Sequence, residues 1–226
     1  MIKERPILFS GAMVRAILDG KKTQTRRVLN QATGPSLSVD CNDGGLAELS
    51  WLHGPGPGYD VEEAIKHVAC PYGKPGDRLW VRETHYAFGR WETRFSPKKG
   101  RDEWHFVDLT LDSGREYQFP DTFKPVAMLP RGEITPSWWK RPAIFMPRVA
   151  ARIVPEVVAT SVERLNDCSE ADAEAEGIAF LREVPDVDET LTARQLYECL
   201  WDSINGAGAW DTNPWVWVIE FTKLET

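Results

Sequence analysis

From Gly20 to Arg27 the chain reads Gly-Lys-Lys-Thr-Gln-Thr-Arg-Arg, setting two lysines, two threonines and two arginines side by side. A threonine hydroxyl is a weak nucleophile until an adjacent base removes its proton, and a lysine can be that base once its pKa is lowered. Arg26 and Arg27 supply neighbouring positive charge of the kind that lowers it. The segment therefore holds a candidate base and a candidate nucleophile, with either lysine and either threonine eligible.

The elements around it decide which side chains can meet. Ser10 suits an N-cap, Met13, Val14, Ile17 and Leu18 fall at helical spacing, and Gly20 suits a left-handed helix end. The motif thus leaves a tight turn as an extended segment. Alternation then sends Lys21, Thr23 and Thr25 to one side and Lys22, Gln24 and Arg26 to the other. Lys22 and Thr25 can cooperate only if the backbone bends or bulges between them.

Elsewhere, Pro6 to Phe9 reads as a strand feeding the first helix. Gly76 to Glu83 reads as a turn and a strand with one wet face, on which Trp80 is surface or pocket wall. Ala151 to Val154 opens a β-ribbon that continues through Val162, with Pro155 at an edge or bulge. Ser169 and Asp172 make a capping-box-like start for a short acidic helix over 171–176, closed by Gly177. Thr192 and Gln195 start a second helix through Leu196, Leu200 and Trp201, and Asn213-Pro214 precedes a final strand from Trp215 to Thr222. Two long tracts, at about 30–75 and 84–147, are rich in Gly, Pro, Trp and charge and read as irregular insertions over one core. Within the first, Gly54-Pro55-Gly56-Pro57-Gly58 reads as a flexible loop.

With 226 residues, 42% of them hydrophobic and 11% aromatic, the chain can build one sizeable core. No apolar run approaches the roughly 20 residues of a membrane span, and Met1 to Pro6 lacks the apolar core of a secretory signal, so a cytoplasmic protein with no membrane partner is expected. Cys41, Cys70, Cys168 and Cys199 lack C-x-x-C spacing and are expected to be reduced thiols. A net charge of -7 argues against non-specific coating of nucleic acid and favours a small substrate. Lys21, Lys22, Arg26 and Arg27 still allow a focused positive pocket.

The spacing Gly20-x-Lys22-x-x-Thr25-x-Arg27 resembles the G-x-K-x-x-[E/T]-x-R signature of ASCH domains. Gly76-Asp77-Arg78-Leu79 resembles that family's G-D-x-L strand entry, Ala173 to Ile178 its acidic helix end, and Trp217 to Phe221 its final strand. The resemblance covers about half the chain and leaves both tracts unexplained. It implies an α+β fold, a single PUA-like (ASCH) β-barrel domain over 1–226 with flanking short helices, and a longer member of the phage and prophage type. The threonine form of the motif resembles that of N4-acetylcytidine amidohydrolases. This implies a catalytic Lys22, Thr25 and Glu176, with Glu174 as the register competitor of Glu176. Substrate contacts would come from Gly20, Arg26, Arg27 and Trp80, with no cofactor. Thr25 would attack the acyl carbonyl, releasing cytidine and leaving an acyl-enzyme for water to hydrolyse.

Three other readings compete. Lys22 and Arg27 as phosphate contacts, with Trp80, Trp138 and Trp139 stacking bases, would make an RNA-binding module without catalysis. Ribonuclease activity lacks a histidine pair at catalytic spacing. Cys41, His53, His67 and Cys70 match zinc in ligand type, but only His67 and Cys70 lie close in sequence, so no metal is expected.

Overall fold

The apolar and alternating segments form eleven strands and three α-helices among the described residues of the computed structural model, which are 2–32, 37–42, 44–53, 62–125, 130–183 and 190–224. The fold is α+β. In chain order the elements are β1 (Glu4–Leu8), α1 (Gly11–Leu18), β2 (Gln24–Val28), β3 (Ser38–Cys41), β4 (Leu46–His53), β5 (Glu62–Ala69), β6 (Arg78–Arg82), β7 (His85–Ser96), β8 (Arg101–Asp108), β9 (Ser137–Arg141), β10 (Glu156–Arg164), α2 (Glu170–Ala175), α3 (Ala193–Asn205) and β11 (Trp215–Thr222). The run Gly54 to Gly58 lies outside the described residues.

The chain packs as two compact units, one built mainly from 1–7, 12–81 and 153–226 and the other from 8–11 and 82–152. The first unit carries a five-stranded sheet of order β1-β6-β10-β11-β2 and a three-stranded sheet of order β3-β4-β5. Both orders are linear, and no sheet closes into a barrel among the described residues. β1 and β2 are therefore the two edges of the larger sheet.

β11 is the spine of that sheet. Val216, Trp217, Val218, Ile219 and Phe221 are all buried, the near-continuous apolar run of a strand covered on both faces. It pairs antiparallel with β10 and with β2. One side of the core gathers Leu165, Ala173, Ile178, Leu196, Tyr197, Trp201, Trp210, Val216 and Val218, so α2 and α3 are held by the same packing. Both helices begin with complete capping boxes, Ser169 with Asp172 and Thr192 with Gln195, as their sequences predict.

Two expectations need correction. The strand after residue 150 starts at Glu156, beyond Pro155, and not at Ala151. Proline lacks the N–H of a ladder residue, but its carbonyl is intact: Leu79 N–H donates to Pro155 O at 2.9 Å and Val81 N–H to Ile153 O at 3.0 Å, so 153–155 still lines β6. The two long tracts are also not irregular, since each folds into a three-stranded antiparallel sheet. Their glycines, prolines and charges mask a period of two. In β7, buried His85, Ala87 and Gly89 alternate with half-buried Tyr86, Phe88 and Arg90.

The second unit holds the sheet of order β8-β7-β9 and a small core of Phe119, Met146 and Ala150. Within it Glu83 binds Arg152 through two hydrogen bonds of 2.9 and 3.0 Å, and Arg152 reaches Asp121 at 2.9 Å. His85 is 1% exposed, with Tyr117 edge-on to its ring. Burial pushes its pKa below the ordinary 6.5, helped by Arg141 and Arg82 and opposed by the Glu83 carbonyl and Asp108. A depressed pKa contributes stability that is present above pH 6.5 and is lost as pH falls through the folded-state value. The stability margin of wild type over His85→Gln is therefore expected to shrink between about pH 7.5 and pH 5 in paired urea titrations. A constant margin would show that His85 is not buried in its neutral form.

Candidate active site

Gly20 stands at φ +70 after α1, and Lys21 and Lys22 N–H both donate to Ala16 O, so the helix ends in the expected left-handed turn. The chain then enters β2, whose pairing with β11 runs without a shift from Gln24 to Val28. No bulge separates Lys22 from Thr25, and alternation holds. Gln24 and Arg26 reach toward α2, while Thr25 takes the other face and is 1% exposed. Arg27 is half-buried, and its Nη1 lies 3.3 Å from Arg26 O.

The C-terminal end of α2 docks on the open edge of β2. Thr23 N–H donates to Ala175 O at 2.9 Å, and Arg26 N–H donates to Glu176 Oε1 at 2.6 Å. The Lys22 ammonium meets three acceptors: Glu176 Oε2 at 2.7 Å, Glu176 O at 2.8 Å and Gln24 O at 2.8 Å. An exposed strand edge offers unpaired N–H and C=O groups, and here one glutamate and one lysine cover them. Gly177, at φ +77, makes the approach possible. A Cβ there would stand 2.6 Å from Lys22 Cβ and 2.9 Å from Ala16 Cβ, so any side chain would push the helix end off the strand.

Electrostatically the site sets two buried cations against three carboxylates. Arg26, whose side chain has no exposed surface, approaches Glu163 at 2.6 Å, Asp172 at 3.4 Å and Glu176 at 3.5 Å. Only its Nε is aligned as a hydrogen-bond donor, to Glu163 Oε1 at 2.8 Å; the Nη atoms sit at ion-pair distance without that alignment. Burial pushes the Lys22 pKa below the ordinary 10.5 despite the pull of Glu176, with Arg27 and Arg26 adding to the depression. The Tyr197 hydroxyl donates to Glu176 Oε1 at 3.2 Å, and burial, then the Glu176 charge, keeps it protonated well above the usual tyrosine range. Burial likewise pushes the Cys168 thiol up to about 12, so it adds no charge at neutral pH.

Of the residues expected to act together, Lys22, Arg26 and Glu176 meet. Glu174, the register competitor, is half-exposed and pairs only loosely with Arg182 at 3.7 Å. Trp80 lies on β6, three strands from β2 or roughly 14 Å at strand spacing, and is not part of this cluster. Glu163, Asp172 and Tyr197 belong to it and escape a motif reading. Asp172 was legible only as a cap, and Glu163 and Tyr197 stand in unremarkable surroundings.

The other candidate sets are not assembled. Trp138 packs on Phe88 and Phe123 at 5.5 and 5.1 Å between ring centroids. Trp139 packs on Trp91 and donates Nε1–H to Gly89 O, so both rings are engaged in packing within their own unit. Cys41 pairs across the sheet with Ala47, whereas His53 lies six residues further along β4, roughly 20 Å away. His67 bonds Glu48 instead, and among the described residues no group of three His, Cys, Asp or Glu side chains is placed to hold a metal ion. No described helix is long and apolar enough to cross a membrane.

No protein-family model, curated protein or solved structure matches this chain.

Proposed function

We propose that this protein is an amidohydrolase of PUA-like (ASCH) type, acting on an N4-acylated cytosine nucleoside. The observation that carries the reading is the 2.7 Å contact between Lys22 Nζ and Glu176 Oε2, two residues 154 positions apart whose identities the motif resemblance links before any contact is considered. The depressed pKa of Lys22 supports its use as a base at a pH where an ordinary lysine is fully charged.

In this reading Thr25 Oγ1 attacks the acyl carbonyl carbon, its proton passes to the neutral Lys22 amine, and the tetrahedral intermediate collapses with cleavage of the carbonyl–N4 bond. The departing amine takes up a proton, and water hydrolyses the Thr25 ester to regenerate the hydroxyl. Glu176 orients the Lys22 ammonium between proton transfers. Thr25 occupies the opposite face of β2 and is 1% exposed, so this reading requires the 21–25 segment to rearrange before Thr25 Oγ1 meets Lys22 Nζ.

The test is direct. Purified protein is expected to release cytidine from N4-acetylcytidine, and Thr25→Ala is expected to lower that rate by about a thousandfold or more without lowering stability by more than about 1–2 kcal/mol. No cytidine release by the wild type, or an unchanged rate in the variant, removes the reading.

A further inference from the structure

We propose that a second site, at the β1 edge of the five-stranded sheet and opposite the β2 edge that carries Lys22, binds a phosphate group. A cavity of about 260 Å³ opens there, lined by Lys3, Arg5, Lys74 and Asp77, with Cys70 and the turn glycines forming its wall. It is slightly smaller than the roughly 300–1,000 Å³ of drug-sized ligand pockets, which suits a small ion or metabolite.

The charge count selects an anion. Among the described lining residues, three cationic side chains face one carboxylate. That carboxylate is already occupied: Asp77 Oδ1 accepts from Lys3 N–H at 3.0 Å and Oδ2 from Lys74 N–H at 3.3 Å, so it ties the two lysine-bearing segments together. Burial pushes the Cys70 thiol up to about 11, leaving it neutral at physiological pH. The remaining excess of two positive charges matches a phosphate dianion.

Two polar atoms are buried without partners behind the cavity wall. Arg5 Nε has no accessible surface and no hydrogen-bond partner, so Arg5 would meet a bound anion through the rest of its guanidinium. Thr160 Oγ1 is also unpartnered and stands directly behind the wall, where a Cβ on Gly45 would come within 2.8 Å of it. Gly45 and Gly73 have φ of +70 and +109, and a Cβ on Gly73 would meet Asp77 Cβ at 2.9 Å. A half-open cavity of this size on a chain of net charge -7 suits a small phosphate compound better than a nucleic-acid backbone.

Free phosphate and a phosphomonoester share this chemistry, and calorimetry on the full chain at low ionic strength separates them. Inorganic phosphate is titrated in one arm and glycerol 3-phosphate in the other. Saturable one-to-one binding is expected in at least one arm, the tighter arm naming the source. The exposed pair Lys3→Gln with Lys74→Gln is expected to weaken it by about tenfold or more, and Arg5→Gln, which removes the guanidinium charge, should also weaken it. Absence of saturable heat in both arms overturns the proposal, as does binding that the folded lysine variants leave unchanged. Neither result touches the amidohydrolase reading, whose assay reports on the other edge of the sheet.

Discussion

Replacing Glu176 by Ala is expected to cost about 3–5 kcal/mol of stability, read as a lowered urea midpoint at neutral pH, and to abolish cytidine release. The size follows from what one carboxylate holds. Glu176 is 2% exposed, carries the Lys22 ion pair, and accepts from Arg26 N–H and the Tyr197 hydroxyl. Removing it leaves the Lys22 ammonium buried without its counter-charge, takes from Arg26 one of its three carboxylates, and uncaps the edge of β2. Glu176→Gln keeps the shape and can still accept from Arg26 N–H and Tyr197, so its cost should fall well below that of the alanine variant. Equal and small costs for the two, under about 1 kcal/mol, would show that the cluster does not hold α2 to the sheet.

Lys22→Met is expected to remove both the base and the donor that holds the strand edge. Methionine fills a similar volume but leaves Glu176 Oε2, Glu176 O and Gln24 O without the ammonium, so stability should fall by about 3–5 kcal/mol and rates are to be compared on the folded fraction. Cytidine release should fall by about a thousandfold or more, because the base is gone. Two pH dependences follow from the depressed Lys22 pKa. The wild-type rate should climb with pH as Lys22 loses its proton, along a limb lying below 10.5. A depressed pKa also means that the stability contribution is present above 10.5 and is lost as pH falls through the folded-state value, so the wild type should gain on Lys22→Met as pH rises toward 10.5. A Lys22→Met enzyme that keeps its rate assigns the proton transfer to another group.

Much of this site is local in origin. The Gly20 turn, the period-two alternation after it and the capping box of α2 each depend on residues within a few positions of one another. Residues 38–69 and 85–141 illustrate the opposite case. Their buried face carries polar or small residues such as His85 and Gly89 while apolar ones such as Leu46, Tyr86 and Phe88 stand on the more open face, so the apolar contrast that marks a strand is weak even though burial alternates and the pairing is regular.

The sequence by itself determined where α1 ends, which side chains of 21–27 share a side, where α2 and α3 begin, and that Trp215 to Thr222 is a strand. It could not determine what would cover each side of β2, because alternation defines two faces without saying what packs on either. Only the tertiary structure decided that. α2 docks along the open edge of β2, which makes Arg26 the buried arginine in place of Arg27 and Glu176 the paired glutamate in place of Glu174. A contact spanning 154 residues depends on the order of strands in a sheet, and no local spacing encodes that order.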